Sequence, residues 1–195
     1  QYFSMFKHYH TDSNRFENKN VVLIILESFS NEHLNSIQSQ KTISNENYAP
    51  FLDSLIHHGI FFPNMFANGK RSAEGIPSII SAVPSLMNTA FINSMYVNNS
   101  NISLPNILKK KNYKSYFFHG GHNGTINLDS YAMLAGFDKY YGKNEYNNNQ
   151  DFDGYWGIWD APYLQYVAKM LAEKTEPFFS VIYTLSSHHP FNVPE

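Results

Sequence analysis

The stretch Val21–Ser30, VVLIILESFS, constrains this chain more than any other. Six consecutive apolar residues, Val21 to Leu26, end abruptly in a carboxylate, Glu27. A short apolar run rich in β-branched residues predicts a strand buried on both faces, as in a parallel sheet covered by helices. Ligands of open α/β sheets bind beyond the carboxyl ends of the strands. Glu27 therefore stands where a site is expected. It can equally serve as a cap that accepts backbone hydrogen bonds in the following turn.

The rest of the chain repeats this alternation. Ala49-Pro50 predicts a helix start with an early proline. Phe51, Leu52, Leu55 and Ile56 form its apolar stripe, and Gly59 its end. Ile60–Met65 reads as a short strand. A second helix is predicted from about Ala73 to Val83, after the loop Ala67-Asn68-Gly69-Lys70-Arg71-Ser72. Ser103 and Pro105 open a helix over Ser103–Asn112, and Ser115–His119 is a strand ending in histidine. Asp129 is expected to cap a short helix through Ala135, and Gly136–Gly154 to be mostly loop. Asp160, expected as an N-cap, and Pro162 open another amphipathic helix. Pro177–Leu185 is a strand followed by Ser186-Ser187-His188-His189-Pro190. Strands alternating with helices predict an α/β fold, a mostly parallel sheet covered by helices on both faces.

Three predicted strands thus end in Glu27, in His119 and in His188-His189. In a parallel sheet these ends share one edge. Each residue alone is explained by a cap or a hydrogen-bonded histidine. Together they favour a site. Adjacent residues leaving a strand point opposite ways, so spacing leaves His188 and His189 open as alternatives.

Ser72 follows Gly69-Lys70-Arg71 and precedes a predicted helix. There a hydroxyl sees free N–H groups and the positive end of the dipole, which favour an alkoxide or a phosphoryl group. Arg71 could add bidentate phosphate contacts. Spacing alone is satisfied by an ordinary N-cap. A divalent metal changes that balance, because a serine hydroxyl needs a base or a metal to activate it. Glu27 is a hard oxygen ligand suited to Mn, Mg or Zn.

Composition excludes several classes. The 195 residues are 43% hydrophobic, enough for one domain with a sizeable core or most of a larger one. The net charge of -2 and the single compact basic run, Lys109-Lys110-Lys111 at a predicted helix end, give no case for nucleic acid. With no cysteine, thiolate sites, thiol nucleophiles and disulfides are excluded. No run reaches the roughly 18 apolar residues of a membrane span. Residues 1–19 read as a lead-in or linker. Trp156 and Trp159 could stack on a glycerol or sugar, but core or lid packing is the favoured reading.

These motifs resemble the catalytic domain of lipoteichoic acid synthase-type phosphoglycerol transferases, in the alkaline phosphatase and sulfatase superfamily. VVLIILESFS resembles that family's opening metal-ligand motif. NGKRSAEGIPSI resembles its nucleophile loop, which places the nucleophile on Ser72. FFHGG, AGFDKYY, GYWGIWD and TLSSHHPF follow in matching order. The resemblance covers nearly everything from Asn20 onward and marks residues 20–195 as the N-terminal portion of a sulfatase-like catalytic domain, C-terminally incomplete.

The resemblance implies a divalent metal, Mn2+ first with Mg2+ or Zn2+ as alternatives. Glu27 and Ser72 would hold it, with an aspartate–histidine pair expected beyond Glu195. A site lacking that pair binds metal weakly, so the piece alone could be inactive. The resemblance also implies phosphoglycerol transfer from a membrane phospholipid to a glycerophosphate- or glycan-type acceptor, through a covalent intermediate on Ser72. His119, His188 and Arg71 would contact substrate, and the family pattern favours His188 over His189. The domain would lie on the extracytoplasmic face of the membrane, attached through an N-terminal segment. Ile126 and Leu128 stand where some relatives carry tryptophan and arginine, which bears on the donor. Ser72-Ala73-Glu74 lacks the proline of true sulfatases, which disfavours sulfatase activity. The alternatives are a non-catalytic anion-binding relative, a phosphodiesterase and a phosphoethanolamine transferase.

Overall fold

The computed structural model describes residues 16–37 and 47–194. The expected lead-in therefore falls mostly outside the described residues. Four strands form one sheet in the order β1-β4-β2-β3: Val21–Ile25 (β1), Lys114–His119 (β2), Lys139–Tyr141 (β3) and Phe178–Tyr183 (β4). All three strand pairs are parallel. The alternating pattern predicted this parallel α/β architecture, and the carboxyl ends of the three long strands do share one edge.

Helices cover both faces of the central strands. On one face, Ala73, Ile76 and Ile80 of α2 (Ser72–Ser81) and Leu128, Tyr131 and Ala132 of α4 (Leu128–Leu134) pack on Phe117, Phe179 and Val181. On the other, Tyr163 and Val167 of α6 (Asp160–Ala172) pack on Tyr116, Phe118, Phe178 and Ile182. Successive strand residues point to opposite faces, so β4, which sits between β1 and β2, is buried along its whole length. Phe117 of β2 and its register partner Val181 of β4 are both fully buried.

Several expectations need correction. β1 is an edge strand, not one buried on both faces. Leu23 and Ile25 pack toward α2, whereas Val22 and Ile24 on the opposite face are 47% and 53% exposed. Its apolar run is explained by one covered face only. Ile60–Met65 forms no strand. Pro63 interrupts it, and Ile60, Phe62 and Met65 are exposed with no strand beside them among the described residues. The helix α1 (Pro50–Ile56) stops before Gly59, on His57, and Phe51 and Leu55 of its stripe are exposed. The stretch expected to be mostly loop contains β3 and the short helix α5 (Lys143–Tyr146). Asp129 is not a cap. The N-cap of α4 is Asn127, and the Asp129 carboxylate accepts from Ser130 N–H at 2.8 Å. Ser103 does cap α3 (Leu104–Lys109), accepting from Asn106 N–H at 3.2 Å. Pro77 lies inside α2, and the helix ends at Ala82 in left-handed backbone, one residue short of the expected Val83.

Candidate active site

Strand register builds the site. Tyr183 of β4 is aligned with Ile25 on one side and with His119 on the other. Glu27, two residues beyond Ile25, continues its face, the face that carries α2. The first residue of α2 is Ser72. Its Oγ–H donates to Glu27 Oε2 at 2.6 Å, across 45 residues of chain. The N-cap position belongs to Arg71, whose side chain makes no N-cap hydrogen bond. Ser72 is therefore not an ordinary N-cap: its hydroxyl is turned away from the helix, onto the carboxylate.

Glu27 is half-buried and is the hub of a hydroxyl cluster. Oε2 accepts from Ser72 and from the Tyr183 phenol, and Oε1 from Ser28 Oγ at 2.9 Å. Its backbone N–H donates to Thr184 Oγ1 at 2.8 Å. Burial pushes the carboxyl up, but the hydrogen bonds from Ser72, Tyr183 and Ser28, with nearby His188, outweigh it and hold it below the usual carboxylate range. Glu27 is thus ionised at neutral pH and presents negative charge beside the Ser72 oxygen.

His119 is buried, 1% exposed. Its Nδ1 lies 3.1 Å from the Tyr183 carbonyl, which only accepts, so Nδ1 carries the proton. The imidazole stacks on the Tyr183 ring at 4.5 Å. Burial lowers its pKa to about 4, so the ring is neutral and Nε2 holds a lone pair. Nε2 faces the backbone of Gly121, where a Cβ would come within 2.5 Å of it.

His188 leaves β4 on a loop held from two directions. Asp160 Oδ1 and Oδ2 accept from the backbone N–H groups of Leu185 and Ser186, both at 2.8 Å, and Ser186 Oγ accepts from Asp160 N–H at 2.8 Å. Asp160 is therefore the first residue of α6 and a clamp on a distant loop, not the expected N-cap, a position taken by Trp159. Trp156 rests against His188 at 4.4 Å and donates from Nε1 to the His189 carbonyl at 2.7 Å. It braces this loop rather than filling the core. Asp153 Oδ1 shapes the bracing loop in turn, accepting from the N–H groups of Tyr155, Trp156 and Gly157 at 2.8, 2.8 and 3.0 Å.

Arg71 is directed elsewhere. Its Nε donates to Glu74 Oε1 at 2.9 Å, and Nη2 bonds the same oxygen and the Asn88 carbonyl. Glu74 Oε2 also accepts from Lys70 N–H, at 2.9 Å. The pair ties down the loop preceding Ser72. The structure thus brings Glu27, Ser72 and, through Tyr183, His119 together, with His188 close enough to act on the Glu27 charge. Sequence reasoning missed Tyr183, which reads as one more core aromatic in FFSVIYTL. Its signal was its place at the strand end, in line with His119.

The chemistry of the donors fits part of a hard-cation shell: an ionised carboxylate and a hydroxyl sharing one spot. Among the described residues, no group of three His, Cys, Asp or Glu side chains is placed to hold a metal. Glu27 and Ser72 would thus supply two oxygen ligands of a larger set. Among the described residues, no helix is long and apolar enough to cross a membrane.

Comparison with known proteins agrees with this architecture. The chain is 31% identical over 184 residues to lipoteichoic acid synthase 2 of Bacillus subtilis, covering 92% of this chain and 27% of that protein. It spans about a quarter of the length of the curated relatives it matches. A Vibrio parahaemolyticus protein of the alkaline phosphatase superfamily superposes with a TM-score of 0.79 at 26% identity, over 93% of this chain and 44% of that one. The lipoteichoic acid synthase LtaP of Listeria monocytogenes shares the fold, with a TM-score of 0.80 at 23% identity, over 91% of this chain and 43% of that one. The Sulfatase family matches residues 19–195. With that match spanning almost all of a chain whose strand ends converge on Glu27 and Ser72, the protein belongs to the sulfatase family.

Proposed function

We propose that this chain is the N-terminal portion of the catalytic domain of a metal-dependent phosphoglycerol transferase. It would use a membrane phospholipid as donor and Ser72 as nucleophile, on the extracytoplasmic side of the membrane. One observation carries the reading: the Ser72 hydroxyl, at a helix N-terminus, is bonded to an ionised carboxylate rather than to its own helix. The similarity to lipoteichoic acid synthase 2 supports the choice of phosphoglycerol among phosphoryl-type groups.

Glu27 and Ser72 would hold a divalent cation, Mn2+ first among candidates. When bound, it lowers the pKa of the serine hydroxyl and offsets charge on the phosphoryl oxygens. Glu27 orients Ser72 Oγ. With its pKa held low it is a weak base, so it steers the hydroxyl rather than removing its proton. Oγ attacks the donor phosphorus and gives up its proton to water. The P–O bond to diacylglycerol breaks, and the leaving alkoxide takes up a proton from water. The acceptor hydroxyl then attacks the phosphoserine diester and loses its own proton, the P–Oγ bond breaks, and Oγ takes up a proton, which regenerates Ser72.

The first turn of α2 favours the anion. His188, on its braced loop, is assigned to the phosphate of the substrate. His119, neutral and with Nε2 turned to the Gly121 backbone, is suited to supporting the site through Tyr183 rather than to meeting an anionic oxygen. Arg71 acts first by tethering Glu74 and the Ser72 loop. Any substrate contact it makes adds to that. The test uses the full-length protein with head-group-labelled phosphatidylglycerol. Wild type transfers label to a glycerophosphate acceptor, and Ser72→Ala does not. Transfer by Ser72→Ala at the wild-type rate refutes the assignment.

A further inference from the structure

Tyr183 touches both the carboxylate and the buried imidazole of this site. Its phenol donates to Glu27 Oε2, the oxygen that also receives Ser72. Its ring stacks on His119 at 4.5 Å with the planes 17° apart, and its carbonyl accepts from His119 Nδ1 at 3.1 Å. The residue is 4% exposed, so its orientation is fixed by packing on Phe179, Val181 and their neighbours in the core under α2. In the parallel register, β4 separates β1 from β2, and Tyr183 is the residue level with both Ile25 and His119.

A carboxylate at a strand end, free to turn about its χ angles, presents its oxygens in many directions. Three hydroxyls on Glu27 restrict it, but they are unequal. Ser28 is its own exposed neighbour, and Ser72 is the group the carboxylate must itself position. Tyr183 is the buried donor held from outside the pair. Outer-shell hydrogen bonds that orient a ligating carboxylate typically contribute about 10–100-fold to metal affinity.

We propose that Tyr183 is a positioning residue, which sets the direction of Glu27 for cation binding. This rests on the reading of Glu27 and Ser72 as cation ligands. Removing the phenol oxygen leaves the stacking and the carbonyl contact intact, so Tyr183→Phe isolates the bond to Glu27.

The experiment measures Mn2+ affinity of the full-length protein by the EPR signal of the free ion. The variants are Tyr183→Phe, Glu27→Gln and a remote control, Tyr131→Phe. Tyr131 is also a buried tyrosine, 1% exposed, and its hydroxyl bonds Ser81 Oγ at 2.8 Å away from the site. Tyr183→Phe is expected to weaken Mn2+ binding about 10-fold, while Tyr131→Phe binds as wild type, even if both melt a few degrees earlier. Wild-type affinity in Tyr183→Phe overturns the proposal and leaves the site reading standing. Equal weakening in Tyr131→Phe also overturns it, by showing that general loosening moves the affinity. Mn2+ binding that survives Glu27→Gln unchanged, or is missing from wild type, overturns both this inference and the site reading beneath it.

Discussion

Replacing Asp160 with alanine tests how the His188 loop is held. The side chain accepts two backbone N–H groups, those of Leu185 and Ser186, each at 2.8 Å. Hydrogen bonds to a charged group contribute about 1.5–3 kcal/mol each, and a donor left unsatisfied in the interior loses its full desolvation energy. Leu185 is 5% exposed, so water does not readily replace its partner. Two such bonds set an upper value of about 6 kcal/mol. Against this, burial raises the Asp160 pKa more than its hydrogen bonds lower it, so the ionised group is itself held at some energetic cost. A net loss of about 2–4 kcal/mol is expected for Asp160→Ala, which lowers Tm by about 5–12 °C in a domain of this size. Asp160→Asn removes the buried charge and keeps one acceptor, so it should lose less than alanine. Hydrogen exchange gives the local readout: the amides of Leu185 and Ser186 lose protection selectively. Wild-type protection at both amides in Asp160→Ala refutes the clamp.

Other consequences are sharper at single atoms. A Cβ at Gly157 would lie 2.2 Å from the Gly120 carbonyl oxygen and 2.7 Å from Gly121 Cα, both backbone. Gly157→Ala should therefore destabilise by about 3 kcal/mol, read by chemical denaturation. A loss under about 1 kcal/mol contradicts the close approach. His119, with its pKa lowered to about 4, should show a neutral ring protonated at Nδ1 in nitrogen NMR at pH 6. A doubly protonated ring at that pH is the contrary result. Because the folded pKa lies below the ordinary 6.5, the stability His119 contributes is complete above pH 6.5 and is lost as pH falls toward 4. Glu27, also depressed, contributes stability that is present above its ordinary 4.5 and lost as pH falls through its folded value. In chelator, wild type should thus lose more stability than Glu27→Gln below about pH 5. Parallel acid profiles contradict the hydroxyl cluster.

What was legible in the sequence was local. The apolar runs before Glu27, His119 and His188 revealed the three long strands, because burial on a sheet face selects such runs. Parallel pairing then followed from the intervening helices and put their ends on one edge. The same logic misled at Ile60–Met65, an apolar run without a strand to pair with, and at β1, where the opposite face is exposed. β3 has three residues, too few for any period to register. Asp160 and Tyr183 escaped for a different reason. Their partners lie 25 and 156 residues away, and local capping or core rules describe each adequately until the register is known. Convergence of Glu27 and Ser72 was expected from strand ends and a helix start, and the 2.6 Å contact meets that expectation.

The central claim is that the Ser72 oxygen becomes bonded to phosphorus during turnover. Full-length protein is mixed with phosphatidylglycerol in Mn2+ and quenched in acid before an acceptor is added. Its peptides are then mapped by mass spectrometry. A glycerophosphoryl group on Ser72, missing from Glu27→Gln, is the result predicted. Turnover with unmodified Ser72, or the group found on another side chain, contradicts it.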